Sequence, residues 1–309
     1  MVRLDALILA VIWLLVGCQQ QAKDALVDVV GTAQGLVEPT ELKGWIDAGS
    51  SVFIMDVRPI ASYKQGHIPG SVQLWRNAYT RNDLPYSGMA IQREYFRKLL
   101  DSLGLRAEHH VVVYDDRGGC DAARVWWLLN VYGHKSVSLL NGGIPHWRSK
   151  QYPVALEWVG TSPSGYTFPD QVDSCLVATL DDVKGQHGIL LDTRSEMEHS
   201  GAEMKEGAFR AGCIPGSILF DWGNAVDFDK AQCLKDPAHL RQQLEALGIH
   251  QDDPVITYCH SGVRSAHTTF VLSQVLGMKN VRNYDGSWTE WSYHNELPIE
   301  RDSSITLDQ

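Results

Sequence analysis

Short apolar runs alternate with helical patterns along most of this 309-residue chain. The clearest runs lie at 52–57, 111–114, 189–192 and 255–258. Runs this short and this apolar are typical of strands that are buried on both faces. Alternation of such strands with helices predicts an α/β fold, in which helices cover both faces of a central parallel sheet.

The chain also contains an internal repeat with an offset of 144 residues. The segment Leu-Asp-Ser-Leu-Gly-Leu at 100–105 matches Leu-Glu-Ala-Leu-Gly-Ile at 244–249, and the run at 111–114 matches the run at 255–258. The register continues without a gap to Trp147 and Trp291. A repeat of this length predicts two duplicated domains and not a solenoid.

The repeat and the turn-forming residues divide the chain. We predict one domain at 36–152 and a second at 174–301. Between them, 153–173 carries three prolines and two glycines, which favour an interdomain linker. Residues 18–35 are predicted to form a flexible tether.

The first 17 residues have the pattern of a signal peptide. Arg3 precedes an apolar run at 7–16 that is too short to span a membrane comfortably. The run ends at Leu-Val-Gly-Cys, which resembles the lipobox of bacterial lipoproteins. We therefore expect 1–17 to be removed and Cys18 to be lipidated, so that the protein is anchored in the cell envelope, facing the periplasm or the exterior. The alternative is an ordinary cleaved signal with a coincidental cysteine.

Charge and cysteine content restrict the partners. The formal net charge is -10 and no basic tract is present, which argues against nucleic acid as a partner. A small anionic substrate remains compatible with this charge, because it responds to the local field of its pocket. Five cysteines remain besides Cys18, and in an exported protein an odd number leaves at least one free thiol. Their spacing does not match a zinc site.

The loop at 259–264 carries the candidate chemistry. Cys259 directly follows the predicted strand 255–258, and a helical pattern follows the loop. Ligands of open parallel sheets bind beyond the carboxyl ends of the strands. Free backbone N–H groups and the dipole at a helix N-terminus stabilise a thiolate there. The pattern therefore predicts that Cys259 is a nucleophile that attacks an anion.

The remaining loop residues are the candidate substrate-binding groups. Gly262 permits a tight turn, in which successive N–H groups form an anion cradle. Arg264 adds a fixed positive charge, and His260 adds a second charge or a hydrogen bond. The predicted binding set in this loop is His260, Ser261, Gly262, Val263 and Arg264.

The repeat provides an internal comparison for this loop. Asp115 occupies the position of Cys259 in the first copy, and Cys120 occupies the position of Arg264. A carboxylate repels an anion and cannot form a persulfide, so the first domain is predicted to be inactive. Protein tyrosine phosphatases place one more residue between their cysteine and arginine, which argues against phosphatase activity.

Together these motifs resemble the tandem-domain rhodanese family of thiosulfate and 3-mercaptopyruvate sulfurtransferases, over about residues 36–301. The first-domain motifs are Asp56-Val57-Arg58, Gly66-His67-Ile68-Pro69-Gly70-Ser71 and Leu140-Asn141-Gly142-Gly143. The second-domain motifs are Asp192-Thr193-Arg194, the Cys259 loop and Tyr284-Asp285-Gly286-Ser287-Trp288.

The resemblance implies two rhodanese-like domains and a ping-pong mechanism. The Cys259 thiolate attacks the outer sulfur of thiosulfate, sulfite leaves, and the resulting persulfide passes its sulfur to cyanide, a thiol or a protein cysteine. No metal and no organic cofactor are implied. The alternatives are 3-mercaptopyruvate as donor, or a non-catalytic sulfur carrier or docking module.

The sequence departs from the family at the site. The loop ends in Arg264, where the family usually has threonine. Glu198 and His199 stand where the family's catalytic domain commonly has a substrate-binding arginine. Arg194 is a candidate for that binding role, and pairing with a carboxylate is its other interpretation. Arg210 is a second arginine that could reach the pocket.

Overall fold

The structure, a computed structural model, describes residues 35–81, 83–170 and 172–302. The predicted signal peptide 1–17, Cys18 and the predicted tether up to residue 34 lie outside these residues. Within the described ranges, no helix is long and apolar enough to cross a membrane. The five cysteines of these ranges are all free thiols.

The first domain is built on a five-stranded parallel sheet with the strand order β1-β5-β4-β2-β3. Its elements are β1 Leu36–Val37, α1 Pro39–Asp47, β2 Val52–Asp56, α2 Ile60–Lys64, β3 Val72–Gln73, a 3-10 helix Arg76–Tyr79, α3 Arg93–Ser102, β4 His110–Tyr114, α4 Cys120–Val131, β5 Val137–Leu140 and α5 Gly143–Ser149.

The second domain repeats this plan with the strand order β6-β12-β11-β7-β8, and β9 and β10 form a small antiparallel pair. Its elements are a 3-10 helix Ser174–Leu176, β6 Val177–Ala178, α6 Leu180–Lys184, β7 Ile189–Asp192, α7 Glu196–Ser200, β8 Ile218–Leu219, a 3-10 helix Trp222–Ala225, β9 Val226–Asp227, β10 Cys233–Leu234, α8 Pro237–Ala246, β11 Val255–Tyr258, α9 Val263–Phe270, a π-helical turn Val271–Val275, β12 Val281–Tyr284 and α10 Ser287–Tyr293.

Burial explains why the apolar runs form central strands. All four residues of β11 are buried, and β11 pairs in parallel with β7 on one side and β12 on the other. In the first domain, β4 occupies the same central place between β2 and β5. The predicted α/β fold with two parallel sheets is confirmed.

The predicted linker 153–173 runs along the surface of the first domain. Ala155 exchanges two backbone hydrogen bonds with His67, at 2.8 and 3.0 Å. Further along, Tyr166 and Phe168 are buried against the first domain's core. The segment is therefore held in place by packing along its length.

The two domains meet through α4 and α9, the helices that follow the two equivalent loops. Every residue of α4 is buried, as expected of a helix that has no solvent-facing side. At the contact, the Trp126 and Phe270 rings meet edge to face, with centroids 5.1 Å apart. Because each helix starts at its loop, this packing brings the 259–262 loop close to the first domain.

We predict that Trp126→Ala lowers the free energy of unfolding by about 3–5 kcal/mol, because it empties a fully packed site between the domains. Chemical denaturation measures the change. The matched control is Trp158→Ala, since Trp158 is 57% exposed, and its cost is expected to stay below about 1 kcal/mol. Equal costs for the two variants would contradict the packing described here.

Candidate active site

Cys259 lies at the junction between β11 and α9. Gly262, at φ 76°, makes the turn into the helix, in a left-handed conformation that favours glycine. The Cys259 thiol is buried and lies beside the first turn of α9, where Ser265 donates its hydroxyl to Sγ over 3.5 Å. The sequence prediction of a cysteine at a strand end and a helix N-terminus agrees with this geometry.

The surroundings of Cys259 favour its ionised form. Burial opposes ionisation, but the charge of Arg264, the Ser265 hydroxyl and the N–H groups of Ser265 and Ser261 outweigh it. Together they hold the pKa of the Cys259 thiol below its ordinary value. A thiol with a lowered pKa supplies more thiolate at neutral pH and is a better nucleophile.

The first domain shows what the equivalent loop holds. The buried Asp115 carboxylate accepts four backbone hydrogen bonds of 2.8–3.1 Å from its own loop and helix. The donors are the N–H groups of Arg117, Gly119, Asp121 and Ala122. Burial raises the pKa of Asp115 to about 6, which leaves the carboxyl largely ionised at neutral pH. This strand–loop–helix junction therefore holds an anion with backbone groups alone.

Ser287 holds the 259–264 loop in place through hydrogen bonds of its hydroxyl group. Its hydroxyl accepts the N–H groups of Cys259 and Gly262, each at 3.1 Å, and donates to the Tyr284 carbonyl at 2.8 Å. Ser287 adopts φ 51°, and Gly143, which occupies the equivalent position in the first copy, adopts φ 55°. A serine in this conformation is strained, and its three hydrogen bonds offset that strain. The sequence analysis did not assign this role, although the Gly-to-Ser change between the copies is a visible signal.

A cavity of about 110 Å³ opens beside Cys259. Its second-domain lining is Lys205, Cys259, His260, Ser261, Val263 and Arg264, and its first-domain lining is Arg76, Arg117 and Cys120. Four of these side chains are cationic, and among the described residues that line the cavity none is a carboxylate. Lys205, Arg76 and Arg117 were not predicted from the sequence, because they are distant from Cys259 along the chain and none belongs to the 259–264 loop.

Arg264 is fixed in place by a carboxylate on α7. Its two terminal nitrogens donate to the Glu198 oxygens at 2.5 and 2.8 Å. Glu198 is buried, and burial raises its pKa, but the bonds and charge of Arg264 more than reverse this, so its pKa lies below the ordinary value. Glu198 and Arg264, the two residues that depart from the family pattern, therefore form one ion pair. Arg264 of this pair is the positive charge beside Cys259.

His260 contributes a hydrogen bond and not a charge. Burial lowers its pKa to about 4, so the ring is neutral at physiological pH. Its Nε2 donates to the Glu206 carbonyl at 3.0 Å, which ties the loop to the segment that carries Lys205. Ser261 and Val263 line the cavity, whereas Gly262 fixes the loop through hydrogen bonds of its N–H and carbonyl groups.

Arg194 lies outside the cavity lining. Its guanidinium donates to Asp192 at 2.6–3.1 Å and to the Gly212 carbonyl at 2.9 Å, and it stacks over the Trp288 ring. A buried arginine with these partners cannot turn to a substrate without breaking its ion pair with the buried Asp192 carboxylate. The structure therefore favours the carboxylate-pairing interpretation of Arg194 over the substrate-binding one.

The first domain contributes directly to the loop. Arg124 of α4 donates to the Gly262 carbonyl at 3.1 Å and forms a buried ion pair with Asp285. It also donates to the Gly88 carbonyl at 3.2 Å. Gly88 itself packs against Ser261 so closely that no side chain would fit there. The domain whose loop carries Asp115 thus fixes the shape of the Cys259 loop in the other domain.

Comparison with known proteins agrees with this arrangement. Two segments, 38–150 and 175–294, match the family model described as Rhodanese-like domain. The matches cover most of the chain, so the protein belongs to the rhodanese family, in its tandem-domain form.

Several similar proteins extend over nearly the same length. "Sulfur carrier protein TtuD" of Thermus thermophilus is 36% identical over 256 residues, 78% of this chain and 88% of that protein. "Thiosulfate sulfurtransferase" of Azotobacter vinelandii is 32% identical over 269 residues, 86% of this chain and 96% of that protein.

Among solved structures, the anaerobic ergothioneine biosynthesis enzyme from Chlorobium limicola aligns with a TM-score of 0.78 and 21% identity. The alignment covers 87% of this chain and 70% of that chain. At this identity the likeness concerns the fold alone.

We predict that replacing the Arg264–Glu198 pair by Arg264→Met with Glu198→Gln raises the pKa of Cys259, because the thiolate loses its nearest positive charge. The pH midpoint of iodoacetamide alkylation at Cys259, followed by peptide mass spectrometry, is expected to move up by about one pH unit. Neutralising both partners avoids a buried unpaired charge.

The control for this double variant is a second arginine–carboxylate pair in the same domain. Arg282 donates to Asp182 at 2.8 Å, so Arg282→Met with Asp182→Asn makes the same chemical change elsewhere. The control is expected to leave the alkylation midpoint unchanged. A midpoint that shifts in neither variant, or equally in both, would show that Arg264 does not tune the thiol.

Proposed function

We propose that this protein is a thiosulfate sulfurtransferase that carries sulfane sulfur as a persulfide on Cys259. The observation that carries the proposal is the pair of equivalent loops. In the first domain four N–H groups hold the Asp115 carboxylate. In the second domain the same strand–loop–helix junction surrounds Cys259, where the outer sulfur of a persulfide occupies the place of the carboxylate oxygens.

The proposed first half-reaction balances in atoms and charge. The Cys259 thiolate attacks the outer sulfur of thiosulfate, a sulfur–sulfur bond forms, and the bond to the SO₃ group breaks. The electron pair of the broken bond leaves with sulfite. The single negative charge moves from the thiolate to the persulfide, which the loop N–H groups stabilise.

The cavity supports a small, multiply charged donor. The space that Arg76, Arg117, Lys205 and Arg264 line holds only a few heavy atoms. Arg76 and Arg117 share one carboxylate, Asp121, and Arg264 pairs with Glu198, so the cations outnumber the carboxylates that neutralise them. Closely spaced cations in a confined space raise the local concentration of an anion and stabilise the departing sulfite. The names of relatives such as the Azotobacter vinelandii thiosulfate sulfurtransferase support the same donor. 3-Mercaptopyruvate is the alternative anion that this lining can bind.

The second half-reaction delivers sulfur to an acceptor. Cyanide or a thiol attacks the outer persulfide sulfur and restores the Cys259 thiolate. The Thermus thermophilus relative is named a sulfur carrier protein, which supports a protein that holds sulfur for transfer to another molecule. No step in this cycle requires a metal ion or an organic cofactor.

We predict that thiosulfate adds one sulfur atom to Cys259 and that cyanide removes it. Intact-protein mass spectrometry before and after each addition measures both steps. Cys259→Ser is expected to lose sulfur uptake and turnover completely, whereas Cys175→Ser, the same change at an exposed thiol, retains most activity.

Three other results would change the donor, the role of the protein or the nucleophile. Sulfur uptake from 3-mercaptopyruvate alone would replace the donor and keep the persulfide. Uptake from thiosulfate without turnover would make the protein a carrier. Turnover by the Cys259→Ser variant would refute the assignment of the nucleophile.

We further propose that Cys18 carries a lipid that holds the mature protein at a membrane of the cell envelope. The support is the sequence pattern at 1–18. The expected result in bacterial cells is that the full chain fractionates with membranes and dissolves only in detergent, whereas Cys18→Ala does not. A soluble full chain with its first 17 residues removed would instead favour the ordinary signal peptide.

A further inference from the structure

The first-domain loop that contains Asp115 also forms part of the wall of the cavity beside Cys259. Asp115 accepts the N–H of Arg117 at 3.0 Å, so the backbone of Arg117 is fixed by the carboxylate that fills the loop. Gly118, the next residue, donates its N–H to the Gln232 side chain of the second domain at 2.8 Å. Both domains thus hold this loop in place, and its Arg117 lines the cavity.

Arg117 and Arg76 pair with a single carboxylate. Arg76 donates to one oxygen of Asp121, and a terminal nitrogen of Arg117 lies 3.4 Å from the other oxygen. Asp121 is buried, and its backbone N–H donates to Asp115 at 2.8 Å, which fixes its position. Both arginines line the cavity. Within the described residues, two cations and one carboxylate therefore leave one positive charge at this wall without a partner.

The second-domain arginines that are candidates for donor binding are held by other partners. The charge of Arg264 is matched by Glu198, and that of Arg194 is matched by Asp192. Arg210 donates to four backbone carbonyls at 2.8–3.1 Å and lies outside the cavity lining. The guanidinium charge that is available to a donor therefore comes from the first domain.

We propose that Arg117, with Arg76 beside it, binds the SO₃ group of the donor and makes the site specific for a doubly charged donor. This inference rests on the proposed function, in which thiosulfate is the donor. For the Cys259 thiolate to displace sulfite, the bond that breaks must point away from Cys259. Because Cys259 belongs to the second domain, the SO₃ group is directed towards the first-domain lining, where Arg76 and Arg117 lie.

The chemistry and the exposure of Arg117 suit this role. A guanidinium group donates two parallel hydrogen bonds to a pair of oxygens such as a sulfonate presents. The Arg117 side chain is 55% exposed, so it can move onto a donor while the buried Asp121 keeps Arg76 as its partner. Thiosulfate carries two negative charges and 3-mercaptopyruvate carries one, so the charge without a partner favours thiosulfate.

The test compares two donors that transfer sulfur in the same way. Methanethiosulfonate has a methyl group in place of one charged oxygen of thiosulfate, so it carries one negative charge, and methanesulfinate leaves when Cys259 takes its outer sulfur. Rapid quenching followed by intact-protein mass spectrometry measures the second-order rate constant of sulfur uptake from each donor by the full chain. In Arg117→Gln, we expect the rate constant for thiosulfate to fall about tenfold and that for methanethiosulfonate to fall at most about twofold.

Three controls separate donor binding from other effects. Arg106 is exposed and precedes β4, at the opposite end of the strand from Arg117, so Arg106→Gln is expected to leave both rate constants unchanged. Arg117→Lys keeps the charge and is expected to restore the preference for thiosulfate. Alkylation of Cys259 by iodoacetamide, which is uncharged, is expected to proceed at the same rate in Arg117→Gln and in the parent protein, because the thiol keeps Arg264 beside it.

The remaining outcomes decide against the inference in distinguishable ways. Equal losses with the two donors, or unchanged uptake from thiosulfate in Arg117→Gln, would overturn the specificity role of Arg117 and leave the persulfide cycle intact. Slower alkylation of Cys259 in that variant would show that Arg117 acts on the thiol and not on the donor. No sulfur uptake by the parent protein from either donor would refute the proposed function, and this inference with it.

Discussion

Backbone N–H groups at a strand–helix junction need an acceptor, and this requirement shapes both halves of the molecule. A loop that turns from a buried strand into a buried helix points several donors inward, away from water. In the first domain the Asp115 carboxylate satisfies them within the chain. In the second domain Ser287 accepts two of the donors, while others face the Cys259 sulfur. The same strand–helix junction thus holds a structural carboxylate in one copy and the candidate nucleophile Cys259 in the other.

The two copies depend on each other because their helices α4 and α9 share one buried interface. Arg124 reaches across it to the Gly262 carbonyl, and Gly88 packs against Ser261. Arg76 and Arg117 add positive charge to the cavity from the same side. The domain that has Asp115 in the place of Cys259 therefore forms half of the candidate site, since the loop and the cavity are incomplete without it.

Charge is arranged locally in a protein whose overall charge is negative. The Arg264–Glu198 pair places a cation beside the buried thiol, and burial keeps His260 neutral. In a similar way, the hydrogen bond and charge of Asp192 outweigh burial and raise the pKa of His199 to about 9, which makes that ring a second cation held by a carboxylate. Each arrangement relies on a carboxylate that fixes the cation, because a buried charge without a partner is too costly to maintain.

The sequence by itself determined the α/β class, the duplication and the place of Cys259, because apolar periodicity, a fixed repeat offset and a strand–loop–helix pattern are all local along the chain. Only the tertiary structure decided which charges reach the thiol. Arg194 pairs with Asp192, two residues earlier, and lies outside the cavity lining, whereas Lys205, Arg76 and Arg117 line the cavity. Contacts between segments this distant in sequence depend on how helices pack across the domain interface, and no local pattern encodes that packing.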